Sequence, residues 1–592
     1  MIRLWVDATD VVRRIYNATI VIPVRAAGPL TLLYPKWLPG FHSPQAPIEL
    51  LAGLKVRAGG KDLRWIRHPV TVNAFHIEVP DGATEVEARI QFLSPTEPKH
   101  GRVLVSEDLL MLPWNTVILY PAGHFARQIL VRPSLRLPDG WACASALEQE
   151  GNDGAIIHFK PVSLDMLVDS PVMAGQHFRT FKLDATGEVK LHVAADRPAL
   201  LECSDEQVER HRAIVAQCDK LFRQRHFKHF DILLALSDEL TAEGIEHHQS
   251  CEAVCSPDYF KVWNSSFPER STAAHEYVHS WNGKHRRGAD SWSPCFERPI
   301  RNSLMWVYEG LTQYWTHVIA ARSGLWSLEQ TLGALAQTAA MLEQRPGSQW
   351  RPLIDTTRDP IIAARNPLPW TSWQRSEDYY SEGVLIWLDI DTRLRELTND
   401  AQSLDDFAAS FFGSTNERLV TQTYQFDDVV DALNVIAPFD WQGLLKRMLS
   451  ETRSSAPLYG LERSGYNLVF RDQPNIYTAA LQDRSGISDH SFSIGLKADS
   501  TGKVSEVLWD SPAFDQGITS GATLVAVYGR PFSPSILSEA VKHCRSAGQM
   551  QITIQSSQRV RTCTLRYEGG LRYPHLEQTN DQSRLDRILS PL

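Results

Sequence analysis

The heptapeptide Ala273-Ala274-His275-Glu276-Tyr277-Val278-His279 constrains this chain more than any other stretch. It reads His-Glu-x-x-His, a spacing that has chemical meaning only on a helix. Residues four apart share one helix face, so His275 and His279 can turn both imidazoles onto one ion. Glu276 lies beside them, placed to take a proton from a water held there. That is the donor set of a zinc site with a general base, and the chemistry it predicts is peptide hydrolysis. With 20 histidines in 592 residues, a surface helix carrying two of them by chance is the competing reading. Local context argues against it. Ser271 offers a cap, Ala273, Ala274 and Val278 surround the motif with apolar surface, and Gly283 ends the run. A helix apolar on most sides is buried, and buried imidazoles need partners.

A catalytic zinc takes three protein ligands and keeps a position for water. The third ligand has two candidates. Glu297 sits beside Arg298 and Pro299 in a turn-like run and reads as solvated. Glu309 stands alone in the apolar helical run Leu304-Met305-Trp306-Val307-Tyr308-Glu309-Gly310-Leu311-Thr312-Gln313-Tyr314-Trp315. A lone carboxylate in such a helix is costly unless a charge meets it. Glu309 is therefore the expected ligand; an ion pair with Arg286, Arg287, Arg298 or Arg301 is the alternative.

These residues carry a family likeness. His-Glu-Tyr-Val-His-Ser-Trp-Asn at 275–282, Trp-Val-Tyr-Glu-Gly-Leu-Thr at 306–312 and Glu-Gly-Ile-Glu-His-His-Gln-Ser at 243–250 together resemble the glycyl aminopeptidase family of zinc peptidases. The likeness extends to Trp37-Leu38-Pro39-Gly40 and to Arg572-Tyr573-Pro574-His575-Leu576-Glu577. It implies a β-rich N-terminal domain, a thermolysin-like catalytic domain and a C-terminal PDZ domain. It also implies an edge strand lying along the substrate, whose glutamate binds the peptide's free α-amino group. Gly244-Ile245-Glu246-His247 matches that strand, and its position just before the motif helix suits β-pairing with an extended peptide. Glu243 replaces a glycine usual in the family. A further implied residue is a tyrosine three before a glycine at a helix start, donating to the tetrahedral oxyanion. Tyr380 holds that position relative to Gly383, and Tyr379 reads as packing. Glu382 stands where the family often has lysine. A phenol aimed at a developing oxyanion contributes about 3 kcal/mol.

A chain of 592 residues is too long for one core. The fold class expected is multidomain α+β. Residues 1–175 alternate in short strands, as in Glu85-Val86-Glu87-Ala88-Arg89-Ile90-Gln91-Phe92 and Val70 to Val79, and form an antiparallel β domain. Residues 176–475 begin with strands, including Phe230 to Leu236, and turn mostly helical, forming the thermolysin-like peptidase domain. Residues 480–570 follow the order of a PDZ domain, with Ile494, Gly495 and Leu496 as its carboxylate-binding loop. Residues 571–592 are a C-terminal tail.

The net charge of −9 implies no nucleic-acid surface, and no apolar run approaches the ~20 residues that span a bilayer. The start lacks the pattern of an export signal. The expected location is cytoplasmic, or periplasmic or secreted if such a signal has been removed. Cys251 and Cys255 are the only close cysteines, and a disulfide between them is an open possibility in an oxidising compartment.

The residues thus predict an enzyme with one Zn2+, held by His275, His279 and Glu309. Glu276 is its base; the likeness implies Tyr380 as the oxyanion donor, and Gly244 and Glu246 as the residues that bind the substrate's free N-terminus. The likeness implies a preference for small first residues such as Gly or Ala. The expected partners are peptides, with a peptide C-terminus at the PDZ domain as a second class. Two rival readings remain: a PDZ-assisted endopeptidase, and an inactive peptide-binding scaffold.

Overall fold

Alternation of apolar and polar residues builds the N-terminal domain. Strands Ile2–Asp10, Ile15–Pro23 and Glu85–Leu93 bury every second side chain, as a sheet with one face on a core requires. A computed structural model describes residues 1–413, 419–579 and 583–592. In it these strands belong to a nine-stranded sheet. Most pairs in that sheet are antiparallel, but Ile2–Asp10 runs parallel to Leu130–Arg136. Smaller sheets of four and three strands share its core, which joins Ile20, Phe75, Leu110 and Val172. The strand expected from Val70 begins at Ala74, because Thr71 donates to His68 Nδ1 at 2.8 Å and closes a turn there.

The next domain opens with a five-stranded sheet in the order His177–Lys182, Val189–Ala195, Phe230–Leu236, Ser250–Cys255, Gly244–Glu246. Every side chain of Phe230–Leu236 and Ser250–Cys255 is buried, as in strands covered on both faces. Gly244–Glu246 is the edge strand, antiparallel to its neighbour. Helix Phe267–His279 packs on this sheet and carries the His-Glu-x-x-His motif. Its first turn holds Pro268, suited to a position whose N–H needs no helical partner. Ser271 is therefore not the cap; it lies inside the helix, donating to the Pro268 carbonyl at 3.0 Å. Two later helices, Gly310–Arg322 and Ser381–Leu397, pack against each other, and the first also packs on the motif helix.

The disulfide left open for Cys251 and Cys255 does not form. Both lie on the strand Ser250–Cys255, four positions apart. Four strand residues span about 13 Å, roughly twice the Cα separation a disulfide tolerates. Both thiols are free and buried.

The C-terminal module has its own core, including Ile494, Leu496, Val504, Leu524 and Ile552. Strands Ile487–His490, Leu496–Asp499 and Val504–Val507 form one sheet, and Thr523–Val527, Arg530–Pro531, Gln549–Ser556 and Arg559–Arg566 form another. Helix Pro534–Ala547 precedes the last hairpin. Both edges of Leu496–Asp499 are paired within the chain, to Ile487–His490 and to Val504–Val507. An aromatic seam docks the module on the helical domain: Trp373 and Trp509 stack at 5.1 Å between ring centroids, and Trp370 meets Phe514 edge-on. Residues 571–592, expected to be a tail, return to the helical domain. Tyr573–Gln578 pairs with Tyr466–Arg471, and the Ile588 carbonyl accepts from Arg322 at 2.8 Å. Residues 580–582 of that segment lie outside the described residues. Among the described residues no helix is long and apolar enough to cross a membrane.

Candidate active site

Four elements bring the site together. The motif helix supplies His275, Glu276 and His279. The run from Met305 through Arg322 supplies Glu309, at a break between two helical segments. The edge strand supplies Gly244 and Glu246, and the start of Ser381–Leu397 supplies Tyr380. One nitrogen or oxygen from each of His275, His279 and Glu309 lies within 4.8 Å of the others. Glu297 is exposed. No arginine pairs with Glu309 among the described residues; its partners are histidines.

Hydrogen bonds fix how the two motif histidines carry their protons. His279 Nδ1 lies 2.8 Å from the carbonyl oxygen of Asn282, which can only accept, so Nδ1 holds the proton. The Thr316 hydroxyl donates to the Thr312 carbonyl at 2.8 Å and is left to accept from His275 Nδ1 at 2.9 Å. In the neutral imidazoles both Nε2 atoms therefore present lone pairs. They face each other at 2.9 Å, with Glu309 Oε2 3.1 Å from His279 and 3.4 Å from His275. Three acceptors so close repel unless a cation lies between them. Two imidazoles and a carboxylate are a donor set that zinc favours, and outer hydrogen bonds of this kind orient metal-binding imidazoles. The residues present fit a metal ion.

Charge makes the same demand. Glu246, Glu276 and Glu309 are all buried around this point. Burial, reinforced by Glu246 and Glu309 against the pull of His279, pushes the Glu276 carboxyl well above the usual range in the protein alone. Burial lowers His279, but Glu309, Glu246 and Glu276 together push it up to about 10. A bound cation would relieve this crowding of negative charge.

Close approach explains the glycines. A Cβ on Gly244 would fall 2.2 Å from Glu276 Oε1, so any larger residue would displace the Glu276 carboxylate. A Cβ on Gly40 would fall 3.3 Å from Glu246 Oε2, and the Trp37-Leu38-Pro39-Gly40 loop of the N-terminal domain thereby closes over the edge strand. Tyr308 donates to Glu246 Oε1. Its ring lies against Gly283, where a Cβ would be 2.6 Å away.

Tyr380 and His275 have ring centroids 6.2 Å apart, and Arg365 Nη2 is 3.5 Å from the Tyr380 hydroxyl. Tyr379 is fully buried in the helical core. Two departures from the family pattern stand outside this constellation. Glu382 is buried in ion pairs with Arg375 and Arg453. Glu243 pairs with Arg102 at 2.8 Å and lines a cavity with Phe41, Pro47 and Asn115. Ile494, Gly495 and Leu496 are not brought here. Ile494 and Leu496 face the core of the C-terminal module, and Gly495 backs onto Ser511.

The sequence reading missed Asn282, Thr316, Tyr308, Arg365 and His42. Asn282 and Tyr308 lie inside the two motifs already singled out. Thr316 stands seven residues after Glu309, two turns along the same helix face, and was findable by spacing. Arg365 and His42 come from distant loops with no periodic signal.

Residues 3–176 match the Peptidase M61 N-terminal domain, and residues 269–386 match the M61 glycyl aminopeptidase family. No curated protein matches the chain. Among solved structures, the chain is similar in fold to an aminopeptidase N family protein from Idiomarina loihiensis, with a TM-score of 0.79 and 18% identity over 100% of both chains. Native leukotriene A4 hydrolase from Saccharomyces cerevisiae gives a TM-score of 0.45 at 11% identity, over 77% of this chain and 68% of that one. On these matches the chain carries an M61 peptidase N-terminal domain and an M61 glycyl aminopeptidase domain, and it is a peptidase.

Proposed function

We propose that the protein is a zinc-dependent aminopeptidase that removes the first residue of peptides with a free N-terminus. The observation that carries this reading is the placement of Glu246. Its carboxylate and that of Glu309 offer oxygens within 4.8 Å of each other, and the same Glu309 carboxylate groups with His275 and His279. His275, His279 and Glu309 would hold one zinc ion. Bound zinc supplies a Lewis acid and acidifies water. The chain's own residues supply the rest. Glu246, oriented by the Tyr308 hydroxyl, takes the substrate's ammonium and fixes the first peptide bond in place. Glu276 accepts the proton of the attacking water and returns it to the leaving amine. Tyr380 donates its phenol proton to the carbonyl oxygen as negative charge gathers there.

A preference for small first residues is supported by the space available. The cavity beside Glu246 measures about 30 Å³, and Leu38, Pro39, Gly40 and Ile245 line it together with the charged Arg102, Glu252 and Lys284, which leaves room for only a small group. The C-terminal module follows the strand and helix order of PDZ domains, and we read it as one. A peptide C-terminus adding to Leu496–Asp499 would have to displace Ile487–His490, which favours a packing role over capture of tails.

The test is a pair of matched peptides, one with a free amine and one acetylated, assayed with and without chelator. Chelator should abolish turnover, reversibly on adding zinc. Acetylation should remove most activity of the wild type, because a charge-assisted contact of about 1.5 to 3 kcal/mol is lost. Glu246→Ala should lose activity on the free peptide and narrow the gap. Equal cleavage of both peptides by the wild type would replace this reading with an endopeptidase.

A further inference from the structure

We propose that His42, from the N-terminal domain, is a positioning residue for the metal centre: it donates Nε2–H to Glu309 Oε1 and so aims Oε2 at the two motif histidines. The inference rests on the reading of His275, His279 and Glu309 as the metal site. His42 Nε2 lies 2.6 Å from Glu309 Oε1. Both side chains are almost wholly buried, at 1% and 2% exposure, so water cannot replace either partner. The other oxygen of the same carboxylate is the one nearest His275 and His279. One donor on Oε1 leaves Oε2 free to ligate and fixes the carboxylate plane.

His42 could instead be a ligand. His42, Glu246 and Glu309 also offer one atom each within 4.8 Å, enough for a second ion. The hydrogen bonding of the imidazoles decides against that. Imidazoles that hold a metal almost always donate their other nitrogen to an acceptor. His275 and His279 both do so, through Thr316 and the Asn282 carbonyl. His42 Nδ1 is buried with no hydrogen-bond partner among the described residues. As a ligand it would leave an N–H donor stranded; as a donor to Glu309 it leaves only a lone pair.

The loop is built to hold this histidine. His42 sits at φ 55, in the left-handed region that residues other than glycine seldom adopt. Asn302 Nδ2 donates to its carbonyl at 2.8 Å and ties the loop to the segment leading into Glu309. The ring meets Tyr308 edge-on, 4.9 Å between centroids. The metal centre is thus completed across the boundary between two domains.

The experiment uses the full chain and measures zinc affinity by competition with a chromophoric chelator, zinc stoichiometry, the Tm of the zinc-free protein, and kcat and KM. Variants are His42→Ala, His42→Phe, which keeps the ring volume without a donor, and His42→Gln, whose amide can donate. His42→Ala and His42→Phe should weaken zinc binding by about 10- to 100-fold. His42→Gln should recover most of that loss. KM should move less than kcat, stoichiometry should stay at one, and the zinc-free Tm of His42→Phe should match the wild type. Should His42→Ala fail to fold, His42→Phe and His42→Gln still carry the comparison. Wild-type affinity in His42→Phe would overturn the proposal, as would two zinc ions in the wild type falling to one in the variants. A wild type that takes up no zinc would overturn the metal-site reading itself, an outcome distinct from the other two.

Discussion

Gly310 and Gly383 hold two helices in backbone contact. A Cβ on Gly383 would fall 2.4 Å from the Gly310 Cα, and one on Gly310 would fall 2.7 Å from the Tyr379 carbonyl oxygen. Gly310 directly follows Glu309, and Gly383 stands one helical turn after Tyr380. The contact therefore sets the distance between the carboxylate and the phenol. Neither position can take a side chain unless the helices part.

Gly383→Ala should accordingly cost at least ~1–3 kcal/mol of stability through overpacking. It should also lower kcat, because separation of the helices carries Tyr380 away from Glu309. Thermal melting and steady-state kinetics read both effects. A variant with wild-type Tm and kcat would show that the helices are not in contact as described.

Glu276→Gln should keep its metal and lose at least ~100-fold in kcat, since an amide cannot accept the proton of water. Gly244→Ala should show a related, milder defect, because the new methyl would crowd Oε1 of Glu276. Metal analysis alongside turnover separates loss of the base from loss of the site. Turnover of Glu276→Gln within a few-fold of wild type would remove Glu276 from the mechanism.

Tyr380→Phe should lower kcat more than it raises KM, because the phenol acts as charge develops. Tyr379→Phe should change stability rather than rate: its ring is fully buried and its hydroxyl has no hydrogen-bond partner among the described residues. Kinetics of the two single variants, with their melting temperatures, test the assignment. The reverse ranking in kcat would mean that the tyrosines have exchanged roles.

Asp169 ties the N-terminal domain to the catalytic domain through Lys284 at 2.5 Å, His248 Nδ1 at 2.9 Å and His247 Nδ1 at 3.3 Å. Burial raises its carboxyl, but Lys284, His247 and His248 outweigh burial and hold it well below the usual carboxylate range. A carboxyl depressed on folding stabilises the fold above its unfolded value of about 3.9. That contribution is lost as pH falls through the lower folded value. Asp169→Asn strands the buried Lys284 charge and should cost ~3–5 kcal/mol near neutrality. The Tm gap between wild type and variant should narrow as pH drops below about 4. A gap that stays constant with pH would show that the ion pair does not govern it.

The gathering of the site's residues was legible where it is local. His275, Glu276 and His279 lie within five residues on one helix, and helical periodicity alone puts the two imidazoles together. Glu309 could be picked over Glu297 because a single acid in an apolar helix demands a charged partner. The β-rich start and the helical middle were also readable, since strand alternation and helical spacing are written in neighbouring residues. The limits of elements were less so. Ser271 reads as a cap but lies within the helix, and Val70 reads as strand but lies within a turn closed on His68.

What only the tertiary structure decided are the contacts between distant segments. His42 reaches Glu309 across 267 residues of chain, and Gly40 fits against Glu246 because two domains meet there. Ile487–His490 fills an edge of Leu496–Asp499 that the order of elements alone leaves open. Cys251 and Cys255 look close in sequence and are held apart because a strand is extended. Periodicity and composition report what a residue needs from its neighbours along the chain. Which distant group meets that need depends on how the elements pack, and packing is set by volume and hydrogen bonding summed over the whole molecule.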